Sequence, residues 1–289
     1  MEQARKITVF GATGKIGSDL IQLFSDAKIP VTAVTRNLKR AIPLPFVQWH
    51  QADMAHEEQL IPAIAEGGGV FLTSGPSPDF IQEQTNVIRA AQRAGAAHLV
   101  KLSSGEADAS SPLFIPRMHG LVETTLTQAD IPYTILRSNG MMQNWLGDLA
   151  ESVRKERKFH ESTGDGKRAY VDKRDVAEVA FNCLTKPKNH YAKTYFLTGG
   201  EAVNYNDVAA AISSVIQQPV AYVPISLEEA RREMEQQNLP PALIETFIAY
   251  DTAQRNGEKA LVTDWVSKLL GRLPRTIDQF FADHADCFR

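Results

Sequence analysis

The β-branched run Ile7-Thr-Val-Phe10 opens directly into Gly11-Ala-Thr-Gly14-Lys-Ile-Gly17, and no other stretch so narrows what the chain can fold into. Three glycines at this spacing lie between a buried-type strand and an amphipathic segment from Ser18 to Ala27. They suit the turn that carries a dinucleotide pyrophosphate. Gly11 allows the tight turn, Gly14 lets backbone N–H groups approach the phosphates, and Gly17 lets the following helix pack closely on the sheet. The N–H groups at the helix start then face the anion. Thr13, Lys15 and Ile16 fill out the cofactor-binding loop. A phosphate-cradling ATP loop is excluded, because Ile16 stands where that motif needs a Ser or Thr hydroxyl for magnesium.

Strand-like runs near 5–10, 31–35, 46–50, 69–74, 97–103 and 131–136 alternate with helical ones, and a seventh near 194–198 returns to the same sheet. The alternation predicts an α/β fold, a doubly wound parallel sheet covered on both faces. Ligands of such sheets lie across the carboxyl ends of the strands where the strand order reverses. Residues 1–155, with the returning strand, form the expected nucleotide-binding domain. Residues 156–289 form a smaller α-rich lobe that supplies the substrate pocket, drawn from 159–170, 202–223 and the helical 227–289 segment.

The 289 residues allow one large or two smaller domains with a substantial core. Thirty-one basic residues scattered among 34 acidic ones give a net charge of −3, which argues against a nucleic-acid face or an anionic-membrane anchor. The basic run 154–158 reads as a solvated helix face. Cys183 and Cys287 sit in no metal or redox spacing and are expected to be free thiols. The leading Met-Glu-Gln-Ala-Arg-Lys runs straight into the first strand, and no apolar run is long enough to span a bilayer, so the expected location is cytoplasmic.

Arg36 follows the second strand, where an NAD-specific chain places an acidic residue on the ribose 2′-OH. An arginine there suits a 2′-phosphate, with Lys39 and Arg40 adding charge, so NADP(H) is expected over NAD(H). The alternative is a set of exposed loop cations. Asp53, after the third strand, either accepts from the adenine amine or caps the helix beginning around Glu57. Ser74 and Gly75 lie in a small-residue turn that passes beside the cofactor. Lys101 and Ser103 end the fifth strand on the cofactor, with Ser103 also a catalytic candidate and Ser104 a substrate contact.

The order of these motifs resembles the extended, atypical short-chain dehydrogenase/reductases, most closely the NmrA-like group. The resemblance rests on the glycine string, on Lys101-Leu-Ser-Ser104, and on Met118-His-Gly-Leu-Val-Glu123 leading to Ile131-Pro-Tyr-Thr-Ile-Leu-Arg137-Ser-Asn-Gly140-Met-Met-Gln-Asn144. It continues through Ala169-Tyr-Val-Asp172-Lys-Arg-Asp175-Val-Ala and Tyr195-Phe-Leu-Thr-Gly199, to about residue 215. The tail Gly271-Arg-Leu-Pro-Arg-Thr-Ile-Asp-Gln-Phe280 also resembles iminium-reducing dehydrogenases of ergot-alkaloid type. The resemblance implies a Rossmann-type sheet and, in the helix after the fifth strand, a Tyr-x-x-x-Lys pair. This chain departs from that pair.

At the matching spacing the helix offers His119 and Glu123, one turn apart on one face, with neither tyrosine nor lysine. A carboxylate there would support a protonated imidazole and raise its pKa. His119 then donates a proton or binds substrate with Glu123 orienting it, or the two form an ordinary intrahelical pair. Without the usual dyad, the chemistry that fits is hydride transfer to an already electrophilic acceptor: a quinone, enone, carbonyl or imine. Asn139, Met141, Gln143, Asn144 and Trp145, after the sixth strand, are expected near the nicotinamide and substrate, and Met141, Met142 and Trp145 suit a small hydrophobic ligand if they are not core.

No His-Glu-x-x-His spacing supports a metal site, and no Gly-x-Ser-x-Gly elbow supports acyl transfer. Asp165, Asp172 and Asp175 read less as an acid/base cluster than as structural groups, with Asp172 in a turn and Asp175 capping a helix from Val176. The expected function is an NADP(H)-dependent oxidoreductase acting on a small hydrophobic substrate, with no nucleic acid, membrane or metal partner and with homo-oligomerisation left open. The alternative is an NADP(H) redox sensor acting through a protein partner. A sugar-nucleotide epimerase lacks both its acid/base residues and its diphosphate lobe.

Overall fold

Runs rich in Val, Ile and Phe become the strands of a seven-stranded sheet in the computed structural model, which describes residues 6–289. The strands are β1 (Ile7–Phe10), β2 (Val31–Thr35), β3 (Val47–Gln51), β4 (Gly69–Leu72), β5 (His98–Ser104), β6 (Tyr133–Ser138) and β8 (Lys193–Leu197), with β7 (Lys158–Glu161) set in a separate small sheet described below. The start of the first expected strand at residue 5, like the rest of the leading five residues, lies outside the described residues. The sheet order is β3-β2-β1-β4-β5-β6-β8. Register places Ile7 between Val31 and Gly69, and Ser103 beside Arg137, all in parallel pairs. β8 rises with β6, since Ala192 N–H donates to Tyr133 O at one end and Asn139 N–H donates to Leu197 O at the other. Every residue of β1 and β4 is buried, as a parallel sheet covered by helices requires.

Helices link these strands: α1 (Lys15–Asp26), α2 (Glu57–Leu60), α3 (Phe80–Arg93) and α4 (Phe114–Gln128). The remaining helices are α5 (Asp148–Glu156), α6 (Lys173–Thr185), α7 (Tyr205–Ile216), α8 (Leu227–Gln236), α9 (Pro241–Arg255), α10 (Trp265–Leu270) and α11 (Ile277–Asp283). Three of them start on capping boxes, Asn204 with Asp207, Ser226 with Glu229 and Thr276 with Gln279, each satisfying two end groups that would lack a partner.

The chain forms two compact units. The first runs to Pro112 and adds Pro116–Ser138 and Val176–Phe196, so it holds the sheet and the helices that link it. The second comprises Leu113–Ile115, Asn139–Asp175 and Leu197–Arg289. The chain thus leaves the sheet unit at Ser138, and most of α6 returns to it together with β8. The second unit packs around an aromatic core in which Trp145 stacks on Phe281 at 5.3 Å and Phe159 stacks on Tyr222 at 5.7 Å. It also contains a small parallel sheet of β7 (Lys158–Glu161) and β9 (Ala221–Pro224), strands that the expected α-rich lobe did not include. Both cysteines are free, and burial pushes the Cys183 thiol up to about 12. Among the described residues no helix is long and apolar enough to cross a membrane.

Candidate functional site

The strand order reverses between β1 and β4, and both strand ends there carry small residues. Gly11 has φ +75, a left-handed conformation that favours glycine, and a Cβ on it would meet Thr73 O at 2.3 Å. A Cβ on Gly17 would meet Gly11 O at 2.2 Å, so only glycine lets α1 approach the loop. Gly14, the N-cap, supplies no side-chain cap, and no acidic residue lies in the first turn of α1. The positive end of a twelve-residue helix is therefore left for an external anion. Beyond β4, buried Gln84 donates to Ser74 Oγ at 3.0 Å and steadies the turn before exposed Gly75.

Arg36, Lys39 and Arg40 are all exposed after β2. The Arg40 guanidinium donates to Thr13 O at 3.4 Å, which lays this cationic stretch against the glycine loop. Asp53 does not cap α2, whose N-cap is His56; its Oδ1 accepts from Ala55 N–H at 3.0 Å and closes a local turn. These features fit a dinucleotide bearing an extra phosphate: an uncapped helix start, a glycine loop open at Gly14, and cations at the end of β2.

Alternation along β5 turns Lys101 and Ser103 toward α4. Lys101 is fully buried, so it offers no surface to a cofactor, which corrects its assignment as a cofactor contact. Its Nζ donates to Leu102 O at 3.0 Å and lies 3.2 Å from His119 Nδ1. Burial pulls the lysine down to about 7, against the pull of Glu123 and with help from Arg137.

Glu123 does not pair with His119. Instead it takes Arg137 as a two-pronged partner, Nε to Oε1 at 3.1 Å and Nη2 to Oε2 at 2.5 Å, while Ser103 Oγ donates to Oε1 at 2.5 Å. His119 stands edge-on to Phe80 with centroids 4.8 Å apart. Burial first, and then the Lys101 charge, pull His119 down to about 2. The expectation of an imidazolium supported by Glu123 is therefore corrected: this histidine stays neutral. Arg137 and Phe80 were not singled out from sequence. The parallel register that sets Arg137 beside Ser103 is the signal that finds Arg137.

In the second unit, Trp145 is 2 % exposed and belongs to the aromatic core, as does Met142, so neither lines a ligand. Gln143 is tied to the start of α6, its Nε2 donating to Asp172 Oδ1 and its Oε1 accepting from Lys173 N–H, both at 2.8 Å. Asn139 Oδ1 accepts from Gly140 N–H and from Arg168 Nε, both at 2.8 Å. Of this predicted group only partly exposed Met141 and exposed Asn144 retain open surface, as does half-buried Ser104 in the sheet unit. Asp172 caps α6 by accepting from Arg174 N–H, and Asp175 lies inside the first turn rather than capping the helix.

A doubly wound sheet with a glycine loop at its switch point defines a dinucleotide-binding protein. A family model for the NmrA-like family matches residues 3–286, and the chain belongs to that family. The chain is 33 % identical to the NAD(P)H azoreductase of Xenophilus azovorans, over 98 % of this chain and 99 % of that one. Its structure is similar to that of the triphenylmethane reductase of Citrobacter sp. complexed with NADP(H), with TM-score 0.83 at 27 % identity, covering 97 % of this chain and 99 % of the other. It is also similar to the NADPH-dependent quinone oxidoreductase QOR2 of Escherichia coli complexed with NADPH, with TM-score 0.84 at 27 % identity, covering 96 % of this chain and 99 % of the other.

Proposed function

We propose that this chain is an NADP(H)-dependent reductase that passes a hydride to a small, apolar, already electrophilic acceptor of the azo, quinone or iminium kind. The observation that carries the cofactor reading is the cationic stretch 36–40 laid against the glycine loop by Arg40. The full-length likeness to reductases named for NAD(P)H or bound to NADP(H) supports the reaction class. Bound there, the dinucleotide supplies a hydride from its nicotinamide. The chain's own groups do the rest. The start of α1 holds the pyrophosphate, and Arg36 with Lys39 and Arg40 holds the 2′-phosphate. Ser104, half-buried at the end of β5, is the substrate contact that the sheet unit offers. His119 faces the acceptor as a neutral hydrogen-bond donor, and Glu123 anchors Ser103 and Arg137 beneath it.

The helix that bears a tyrosine and a lysine in the wider family bears neither here, which suits acceptors that need little acid help. NADPH oxidation against a panel of azo dyes, quinones and cyclic iminium ions, with binding followed by nicotinamide fluorescence, tests the reading. Turnover of one class is expected. Tight binding without turnover of any acceptor overturns it in favour of a redox sensor.

A further inference from the structure

A fully buried lysine is costly to keep charged, and here its hydrogen bonds go to Leu102 O and to a neutral histidine. Their hydrogen bonding has a direction. An ammonium has only donors, so His119 Nδ1 accepts from Lys101, and the ring proton resides on Nε2. Ser103 lies 3.4 Å from the same Nδ1, but its one proton is committed to Glu123 at 2.5 Å. Among the described residues no partner falls to His119 Nε2, and the imidazole is partly exposed whereas the lysine is not. The groups facing Lys101 are His119 and Glu123 from α4, Arg137 from β6 and the Phe80 ring from α3, whose centroid is 5.8 Å away. Phe80 also lies edge-on against the ring of His119, whose imidazole is hydrogen-bonded to the buried ammonium and reaches the surface.

We propose that Lys101 and His119 form a proton relay, with Lys101 the proton store and positioning residue behind His119. The inference rests on the reductase reading. A hydride added to one nitrogen of a neutral azo group leaves an anion on the other. His119 Nε2–H gives its proton to that anion while Lys101 Nζ–H gives one to Nδ1. The acceptor becomes a hydrazine, the nicotinamide is oxidised by two electrons, His119 ends as the opposite neutral tautomer, and Lys101 ends as a neutral amine. Reversal through the imidazole, with a solvent proton entering at Nε2, restores the ammonium. His119 thus moves a proton without becoming an imidazolium, which its low basicity forbids.

Acceptor chemistry separates this role from a packing role. A triarylmethyl cation or a cyclic iminium ion takes a hydride to give a neutral product and needs no proton, whereas a neutral azo dye needs one. In Lys101→Met, the ratio of azo-dye to triarylmethyl-cation turnover is expected to fall by about 10²-fold. In the native protein that same ratio declines as pH rises through about 7, where Lys101 loses its proton. His119→Gln, which can donate but cannot pass a proton on, lowers the ratio similarly.

Nitrogen-15 spectra of labelled histidine give a readout without turnover. His119 is expected in the Nε2–H form, with an Nδ1 shift that titrates near pH 7 and loses that titration in Lys101→Met. Turnover of both acceptors with an unchanged ratio in Lys101→Met, or an Nδ1–H tautomer, overturns the relay alone. Failure of every acceptor overturns the reductase reading and the relay with it.

Discussion

Arg36 carries the choice of cofactor, because it stands exposed at the end of β2 where an acidic residue would favour the ribose hydroxyl. Arg36→Asp replaces a donor pair by a repelling charge. Its NADPH affinity is expected to drop by about 10- to 100-fold more than its NADH affinity, the equivalent of one charge-assisted hydrogen bond or more. Fluorescence titration with both dinucleotides checks this, and equal losses overturn the assignment. At this scale the turn at Gly11 and the close approach at Gly17 were legible, since both act through backbone geometry that a residue type declares. His119 and Glu123 were legible as one helix face but not in what they touch. Their partners, Lys101 and Arg137, come from β5 and β6 and meet them only through sheet register. The aromatic and methionine residues after β6 were ambiguous for another reason: core and ligand pocket ask for the same side chains, and Trp145 went to the core.

The strands of the large sheet were readable as elements because burial on both faces demands continuous apolar runs, which β1 and β4 show in full. The small sheet was not. β7 is Lys-Phe-His-Glu, with one buried side chain among four, and its pairing with β9 joins segments some sixty residues apart. The start of α6 was also displaced, for Asp172 rather than Asp175 caps it. Asp175 has another task. Wholly buried, it accepts from Arg272 Nη2 at 2.8 Å, from Arg275 N–H at 2.8 Å and from the Arg275 guanidinium, pinning the segment before α11 to the start of α6. Asp175→Ala removes the acceptor and leaves two guanidinium groups without it. The expected loss is about 3 kcal/mol, at the low end for breaking a buried ion pair because the arginines are partly exposed. Denaturant unfolding measures it, and a loss under about 1 kcal/mol would show that the segment is held by other contacts.

The most strongly shifted groups of the two units couple stability to pH in opposite senses. In the sheet unit, His119 is held down to about 2 from 6.5 and Lys101 down to about 7 from 10.5. Between each pair of values the unfolded chain binds a proton that the folded chain does not. The contribution of these two groups to stability therefore rises with pH, first through the acid range and again above neutrality. In the second unit, Glu161 on β7 is raised from 4.5 to about 8, first by burial and then by the Asp251 charge. Asp251, raised mainly by burial, is restrained by Ser162, which donates to it, and by Arg168 and Arg255. Here the folded chain holds the extra proton, so between about 4.5 and 8 stability falls as pH rises. Glu161→Gln keeps the shape and removes the titration. Relative to the native chain it is expected to gain stability steadily from pH 5 to pH 8, with the buried Trp145 of the same unit as the fluorescent reporter. A difference between the two proteins that does not change over that interval would mean that Glu161 is already ionised in the folded chain.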